Sequence, residues 1–165
     1  MNRTIILNNQ QINNKIRRIA FQVYENNTDE KEIILAGIKN KGFILAKKLK
    51  KALESISDIK VQLCEVRMNK KKPLDNIETS LESNEYKNKS LVLVDDVLNS
   101  GTTLIYATKH FLEVPLKQFK TVVLVNRNHK KYPIKADFKG ISLSTSLQEH
   151  ISVEFEKNSA SAFLN

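Results

Sequence analysis

The chain has one cysteine, no tryptophan, three prolines and four glycines in 165 residues. A single thiol excludes an internal disulfide, and Cys64 has no Cys or His neighbours at metal-ligand spacing. Cys64 lies in an apolar alternating stretch, where a buried structural thiol is expected rather than a nucleophile. No run approaches the ~20 apolar residues that a membrane span requires. The first residues, MNRTIILNNQQINNKIRR, return quickly to polar side chains and contain no long apolar h-region, which argues against a secretory signal. Cytoplasmic residence without membrane contact is the expectation. There is no internal repeat and no low-complexity linker.

The apolar fraction of 41% is ordinary for a globular protein. The length suits a single domain, residues 1–165, large enough to bury a core. The formal net charge of +9 points to anionic partners. Most of that charge is lysine spread along the chain, so nucleic acid and small phosphorylated ligands both fit it.

Strand and helix patterns alternate. Arg3 to Leu7 reads as a short strand. Ile12, Ile16, Ile19, Ala20, Val23 and Tyr24 recur at helical spacing behind Asn8 or Asn9 as a cap. Glu32 to Ala36 is a short apolar run of the kind found in buried parallel strands. After the segment Gly37 to Gly42, Ile44, Leu45, Leu49, Leu53 and Ile56 define a second amphipathic helix, with Lys47, Lys48, Lys50 and Lys51 on its solvated face. Val61 to Met68 reads as a strand. From Asn69 to Lys89 the pattern dissolves into polar residues interrupted by Pro73, and a polar segment of that length is usually functional or mobile. Strand Leu91 to Asp95, a helix from about Thr102 to Glu113, strand Thr121 to Val125 and an alternating stretch Ile151 to Phe155 follow. This order predicts an α/β fold with a mostly parallel central sheet flanked by helices. Ligands of such sheets bind beyond the carboxyl ends of the strands. Gly37 to Gly42, Asp95 to Thr103 and Asn126 to Gly140 all follow strand ends, so they are candidates for one site.

The densest signal is LVLVDDVLNSGTT, Leu91 to Thr103. Its Asn-Ser-Gly-Thr-Thr segment joins a strand end to a helix start, where unpaired backbone N–H groups and the helix dipole favour an anion. Ser100, Thr102 and Thr103 add hydroxyl donors, and Gly101 allows close backbone approach. The Gly-Lys-Ser/Thr ending of a nucleotide P-loop is absent. Asp95 and Asp96 would repel a phosphate at close range but suit sugar hydroxyls. Sugar hydroxyls beside a terminal phosphate describe a ribose 5-phosphate. The plainer alternative is a strand end followed by an Asn/Ser helix cap.

LVLVDDVLNSGTT resembles the phosphoribosyl pyrophosphate (PRPP) signature of the type I phosphoribosyltransferase family. GIKNKGFILAKKL, Gly37 to Leu49, resembles the pyrophosphate loop and following helix of the PyrR-like branch, bacterial pyrimidine-operon attenuation regulators homologous to uracil phosphoribosyltransferases. VNRNHKKYPIKADFKG, Val125 to Gly140, resembles the base-side segment of the same branch. The similarity runs from about Ile5 to Phe155.

The resemblance implies a type I phosphoribosyltransferase fold with a small hood, made of residues 69–89 plus the terminal segments. It implies that Asp95 and Asp96 hold the ribose hydroxyls, with Mg²⁺ bound by PRPP oxygens and water rather than by direct protein ligands. Asn99, Ser100, Gly101, Thr102 and Thr103 would cradle the 5-phosphate. Ile38, Lys39, Asn40 and Lys41 would hold pyrophosphate through backbone N–H groups, with Lys39 or Lys41 neutralising charge in an unusual loop geometry tolerated by the flanking glycines. Lys135, Asp137 and Phe138 fall in a stretch resembling the base-recognition segment of hypoxanthine-guanine enzymes. The implied activity is transfer of phosphoribose to a nucleobase, uracil foremost, with a nucleotide-sensing RNA-binding regulator as the alternative. Homo-oligomers are common among such relatives.

Four departures from the family stand out. Asn99 replaces the Asp of purine enzymes and the aromatic usual in the regulators, and it offers no useful basicity. Thr102 stands where Lys or Arg is common. The run Glu65 to Lys72 differs from the acidic-aromatic-Arg run of the family hood. Arg17, Arg18, Lys130 and Lys131 could face RNA phosphates, but Phe21 replaces a family His on the first helix.

Overall fold

A computed structural model describes residues 3–165. Strand β1 (Thr4–Leu7) leads to helix α1 (Asn9–Glu25). Asn8 caps that helix: its side chain accepts from the Gln11 N–H, and the Gln11 side chain accepts from the Asn8 N–H, both at 2.9 Å. Strand β2 (Glu32–Ile38), helix α2 (Lys41–Ile56) and strand β3 (Lys60–Arg67) follow. Then come a two-residue strand β4 (Glu78–Thr79), a one-turn helix α3 (Ser83–Tyr86), strand β5 (Ser90–Leu98) and helix α4 (Thr102–Phe111). Strands β6 (Gln118–Arg127), β7 (Phe138–Leu143), β8 (Ile151–Phe155) and β9 (Ala160–Leu164) complete the chain.

Six strands form the main sheet in the order β4-β3-β2-β5-β6-β7, parallel except for β4 at one edge. Its central strands are apolar throughout because both faces are covered. Ile33, Leu35, Val92, Val94, Val122 and Leu124 point into a core shared with α1 and α2. Ile34, Ala36, Ile38, Leu91, Leu93 and Val123 point into a second core under α4 and α3. This two-residue alternation across paired strands fixes the register, since a one-residue slip would exchange the two cores. Cys64 is fully buried in the second core, and burial raises its thiol pKa, as expected of a packed thiol.

The termini build a separate antiparallel sheet, β1-β9-β8. Leu7, Val153, Ala160 and Ala162 join the α1/α2 core, which seats this small sheet at the carboxyl end of the large one. The Arg3 guanidinium pairs with Glu154 and lies over the Phe163 ring. No described helix is long and apolar enough to cross a membrane.

The structure divides the polar stretch that the sequence presents as one hood segment. Leu81 and Tyr86 are buried in the second core, and Tyr86 packs edge-on against Phe111 with ring centroids 5.1 Å apart. The Ser80 N–H donates to Glu65 O at 3.0 Å, and the Asn88 N–H to Pro115 O at 2.8 Å. Residues 68–77 are the longest run of this stretch without helix or strand. In hydrogen exchange of the free protein, amides of 69–77 are therefore expected to exchange fast and those of the Ser80 and Asn88 pairings measurably slower. Uniform rates from 69 to 89 would contradict this division. Three further differences are strands β4, β7 and β9, none of them anticipated. Strand β7 occupies the end of the stretch Asn126 to Gly140 that reads as a loop.

Candidate functional site

Strand β5 carries its acids to the end of the sheet in a buried position. Asp95 is 2% exposed and Asp96 8%. Asp95 Oδ1 accepts from the Asp96 N–H at 2.9 Å, while Oδ2 lies 3.7 Å from Lys70 Nζ. Burial first, and then the neighbouring Asp96 charge, push the Asp95 pKa from its ordinary 3.8 up to about 8, with Lys70 pulling the other way. Lys70 reaches this acid from the 68–77 loop, a contact that its place in a lysine run gives no reason to expect.

Beyond the acids the chain turns through Asn99 and Ser100 to Gly101, at φ 87°, and α4 begins. The first helical bond runs from Ile105 N to Gly101 O at 3.0 Å, leaving the leading N–H groups of α4 without helical acceptors. Ser100 Oγ and Thr102 Oγ1 lie 2.8 Å apart. The N–H groups of Lys131 and Tyr132 both donate to Ser100 O, at 2.7 and 3.1 Å, so the segment after β6 braces the loop. A Cβ at position 101 would approach Ile134 Cγ2 to 2.7 Å, which together with the positive φ leaves room only for glycine.

The β2–α2 turn is shorter than the sequence suggests, because Gly37 and Ile38 belong to the strand. Ile38 is a buried ladder residue paired with Val66, and the Lys39 N–H donates to Val66 O at 2.8 Å. The Lys39 N–H is therefore committed to the ladder rather than open to an anion. The unusual geometry falls on Asn40 itself, at φ 71° and ψ −114°, a conformation costing roughly 1–3 kcal/mol in a non-glycine residue. With Ile44 N bonded to Asn40 O, the free donors of this turn are the N–H groups that open α2 at Lys41 and Gly42. Gly42 lets that helix end approach the acids, since a Cβ there would meet Val94 O at 2.9 Å and Asp95 Oδ1 at 3.1 Å.

A cavity of about 190 Å³ collects these parts: Lys41 from α2, Asp96 and Val97 from β5, Asn99 from the loop, Arg127 from the end of β6, and His150, Ile151 and Ser152 at β8. Arg127 is 5% exposed. Its Nη1 donates to Asn99 Oδ1 at 3.0 Å, its Nε to Thr145 Oγ1 at 2.6 Å and its Nη2 to Ser146 O at 2.9 Å. Glu149 accepts from the Ser146 N–H at 2.6 Å, and hydrogen bonding from the Ser146 backbone and then its side chain, with a smaller pull from the Arg127 charge, holds its carboxyl below the usual range.

Lys135, Asp137 and Phe138 do not join this cavity. Asp137 Oδ2 accepts from Thr121 N at 2.9 Å and from Thr121 Oγ1 at 3.2 Å, clasping the entry of β7 to β6. Phe138 pairs with Val122 in the ladder and packs on the core, and Lys135 is exposed. The Asp137 carboxylate and the Phe138 ring join two strands, while the Lys135 side chain stays free at the surface. Lys41, not Lys39, lines the cavity. Arg127, His150, Ser152 and Lys70 were not singled out from sequence. The segment containing Arg127 was legible, because it follows a strand end, but nothing distinguished this arginine within it. Arg18 donates to the carbonyls of Lys139 and Gly140 at 3.1 and 2.7 Å, so its guanidinium is already engaged, whereas Arg17, Lys130 and Lys131 stay exposed.

Chemically, the site offers two strand-end carboxylates, two helix N-termini and a buried guanidinium around a wall of the terminal sheet. That set suits a phosphorylated sugar joined to a second anionic group. Among the described residues no three His, Cys, Asp or Glu side chains cluster as a metal cage.

The chain belongs to the phosphoribosyl transferase domain family, whose model matches residues 2–158. Its curated relatives include proteins named Bifunctional protein PyrR. That of Bacillus pumilus is 33% identical, covering 94% of this chain and 92% of the relative. That of Macrococcus caseolyticus is 30% identical, covering 95% and 94%. Among solved structures, a Trypanosoma cruzi hypoxanthine phosphoribosyltransferase superposes with a TM-score of 0.78 at 14% identity, covering 96% of this chain and 95% of that one. A Bacillus anthracis hypoxanthine-guanine phosphoribosyltransferase gives 0.74 at 19% identity, covering 90% and 86%. The type I phosphoribosyltransferase fold is thus shown, and the curated relatives place the chain beside PyrR.

Proposed function

We propose that this phosphoribosyltransferase transfers the phosphoribosyl group of PRPP to uracil and releases pyrophosphate. The observation that carries this reading is one cavity lined by Asp96 of β5, Lys41 at the α2 N-terminus, Asn99 at the start of the loop before α4, Arg127 and the terminal sheet. Asp95 and Asp96 accept hydrogen bonds from the ribose hydroxyls. Ser100 to Thr103, at the open end of α4, hold the 5-phosphate. The N–H groups of Lys41 and Gly42 and the Lys41 ammonium face the pyrophosphate. The base sits between Asn99, Arg127 and the β8 wall.

Two carboxylates are too few for a protein-held Mg²⁺ but fit one that enters on PRPP and keeps several waters. Bound there, the ion would neutralise pyrophosphate charge. In the transfer the C1–O bond breaks with its electron pair leaving on pyrophosphate, positive charge develops on the ribose, and the base nitrogen forms the new C1–N bond. The proton of that nitrogen passes to the departing pyrophosphate or solvent. The protein contributes positioning, charge neutralisation and water exclusion, the last by closure of the 68–77 loop.

The test is incubation with PRPP, Mg²⁺ and a panel of bases, followed by detection of nucleotide and pyrophosphate. UMP formed from uracil is the expected product. A second reading, a nucleotide-sensing RNA-binding regulator of weak turnover, is favoured by the bifunctional name of the relatives and by exposed Arg17, Lys130 and Lys131. Binding of pyrimidine-leader RNA that responds to UMP, with no nucleotide product from any base, would select it. Assembly into a homo-oligomer in the cytoplasm belongs to both readings, and light scattering measures the assembly.

A further inference from the structure

We propose that Lys70 is an autoinhibitory strap: in the free protein its ammonium covers the oxygen of Asp95 that a ribose hydroxyl must reach, so that a phosphorylated sugar enters only as Lys70 lets go. The inference rests on the reading that Asp95 and Asp96 hold the ribose.

The two carboxylate oxygens of Asp95 are not equivalent. Oδ1 accepts from the Asp96 N–H at 2.9 Å and faces the start of α2, where a Cβ on Gly42 would come within 3.1 Å of it. Oδ2 is the oxygen left for a ligand, and the Lys70 ammonium stands 3.7 Å from it. The Asp95 side chain is 2% exposed and that of Lys70 52%. A sugar hydroxyl therefore reaches Oδ2 only when part of its cover moves. The sheet and α2 are fixed by the core, whereas Lys70 belongs to the 68–77 loop, which has no helix or strand.

Local chemistry aims this lysine at the acid. Met68 packs against the second core. Asn69 then folds the chain into a turn: its Oδ1 accepts from the N–H groups of Lys71 and Lys72, at 3.0 and 3.2 Å, and its carbonyl accepts from the Lys72 N–H at 3.1 Å. Lys70 is held between that core anchor and the turn. Among the described residues it is the one lysine of the run Lys70 to Lys72 that pairs with an acid. The pair is weak. A half-exposed ammonium is screened by solvent and gives up side-chain freedom to stay in place, so such a contact shifts an equilibrium only severalfold. That is enough to bias the loop toward the acids and little enough for a ligand to displace.

The strap also needs an ionised acid. Burial and then the adjacent Asp96 push the Asp95 pKa to about 8, so Lys70 meets a full charge at pH 9 and mostly a neutral carboxyl at pH 7. Asp96 and Lys70 are the charged groups that bear on Asp95, and α2 meets it with Gly42.

Calorimetric titration of Lys70→Ala with ribose 5-phosphate, inorganic phosphate and PRPP–Mg²⁺ tests the strap. Lys71→Ala is the control, since it removes the same charge from the neighbouring exposed position. At pH 9, ribose 5-phosphate and PRPP–Mg²⁺ are expected to bind Lys70→Ala about two- to fivefold tighter than Lys71→Ala, and at pH 7 that gain is expected to all but vanish. Inorganic phosphate, which reaches the loop before α4 but not Asp95, is expected to bind both variants alike. Equal affinities of the two variants for ribose 5-phosphate at pH 9, or a gain of the same size at pH 7, overturn the strap. Weaker binding of PRPP–Mg²⁺ to Lys70→Ala than to Lys71→Ala overturns it as well, because Lys70 would then hold the ligand rather than block it. A parent that binds ribose 5-phosphate no tighter than inorganic phosphate overturns the placement of the ribose itself.

Discussion

Replacing Asp95 and Asp96 together by Asn is expected to weaken PRPP–Mg²⁺ binding on the order of a hundredfold to ten-thousandfold while leaving the chain folded. Two charge-assisted hydrogen bonds to ribose hydroxyls, at about 1.5–3 kcal/mol each, account for that range. The fold tolerates the change because Asp95 gains little from its charge. Its Oδ1 accepts from the Asp96 N–H, which an Asn oxygen does equally well, and Asn nearly matches Asp in volume. Burial raises the folded pKa of Asp95 to about 8, above its ordinary 3.8, so ionising it costs stability as pH rises through that window. Below pH 4 the carboxyl is protonated in both folded and unfolded chains and the cost disappears. A thermal melt of Asp95→Asn should therefore match or exceed the parent at pH 8 and lose that advantage toward pH 4. Calorimetric titration with PRPP and Mg²⁺ supplies the binding result. A folded double variant that binds as tightly as the parent would remove the acids from the site.

How far the sequence discloses this molecule depends on the range of the interactions involved. Local signals were sufficient for the central strands, where unbroken apolar runs can only be buried on both faces. They were sufficient as well for the Asp95 to Thr103 segment, whose chemistry is contiguous in the chain. They failed where partners lie far apart. Strand β9 is an ordinary Ala/Phe/Leu stretch until it pairs with β1 across the whole length of the chain. Tyr86 and Leu81 anchor a segment that looks uniformly polar because their neighbours face solvent. Strand β7 reads as loop because, at the sheet edge, it alternates half-buried Phe138, Ile141 and Leu143 with polar residues and a glycine. A Cβ at that glycine, Gly140, would meet Leu124 O at 2.4 Å, so its reason for being there is also tertiary. The base side shows the same limit. Lys135 to Phe138 has the look of a recognition segment, yet Asp137 spends its carboxylate on Thr121. Arg127, which organises Asn99, Thr145 and Ser146, acquires its role only when three chain segments meet.

The affinity for PRPP–Mg²⁺ is expected to rise about tenfold from pH 7 to pH 9 and then level off, with close to one proton released per ligand bound at pH 7. The cause is again Asp95, pushed to about 8 by burial and by the adjacent Asp96, and therefore largely protonated in the free protein at neutral pH. The ribose hydroxyls donate best to the ionised form, so binding draws the proton off. A group that must ionise to bind weakens the apparent affinity by the factor 1 + 10^(pKa − pH), roughly elevenfold at pH 7 and negligible at pH 9 for this pKa. Phosphate groups of the ligand titrate near pH 6 and contribute little across this range. Lys70 supplies an internal control. Its ammonium lies 3.7 Å from Asp95 Oδ2 and opposes the rise, so Lys70→Ala should move the pH midpoint upward and enlarge the change between pH 7 and pH 9. Because Lys70 is half-exposed, solvent screens this pair and the displacement should be a fraction of a unit rather than several. Calorimetry in buffers of different ionisation enthalpy reads the proton count directly. Affinity that is flat from pH 7 to pH 9, with no proton released, would show that Asp95 enters the complex in the protonation state it already holds and that the ribose contact falls to Asp96 alone.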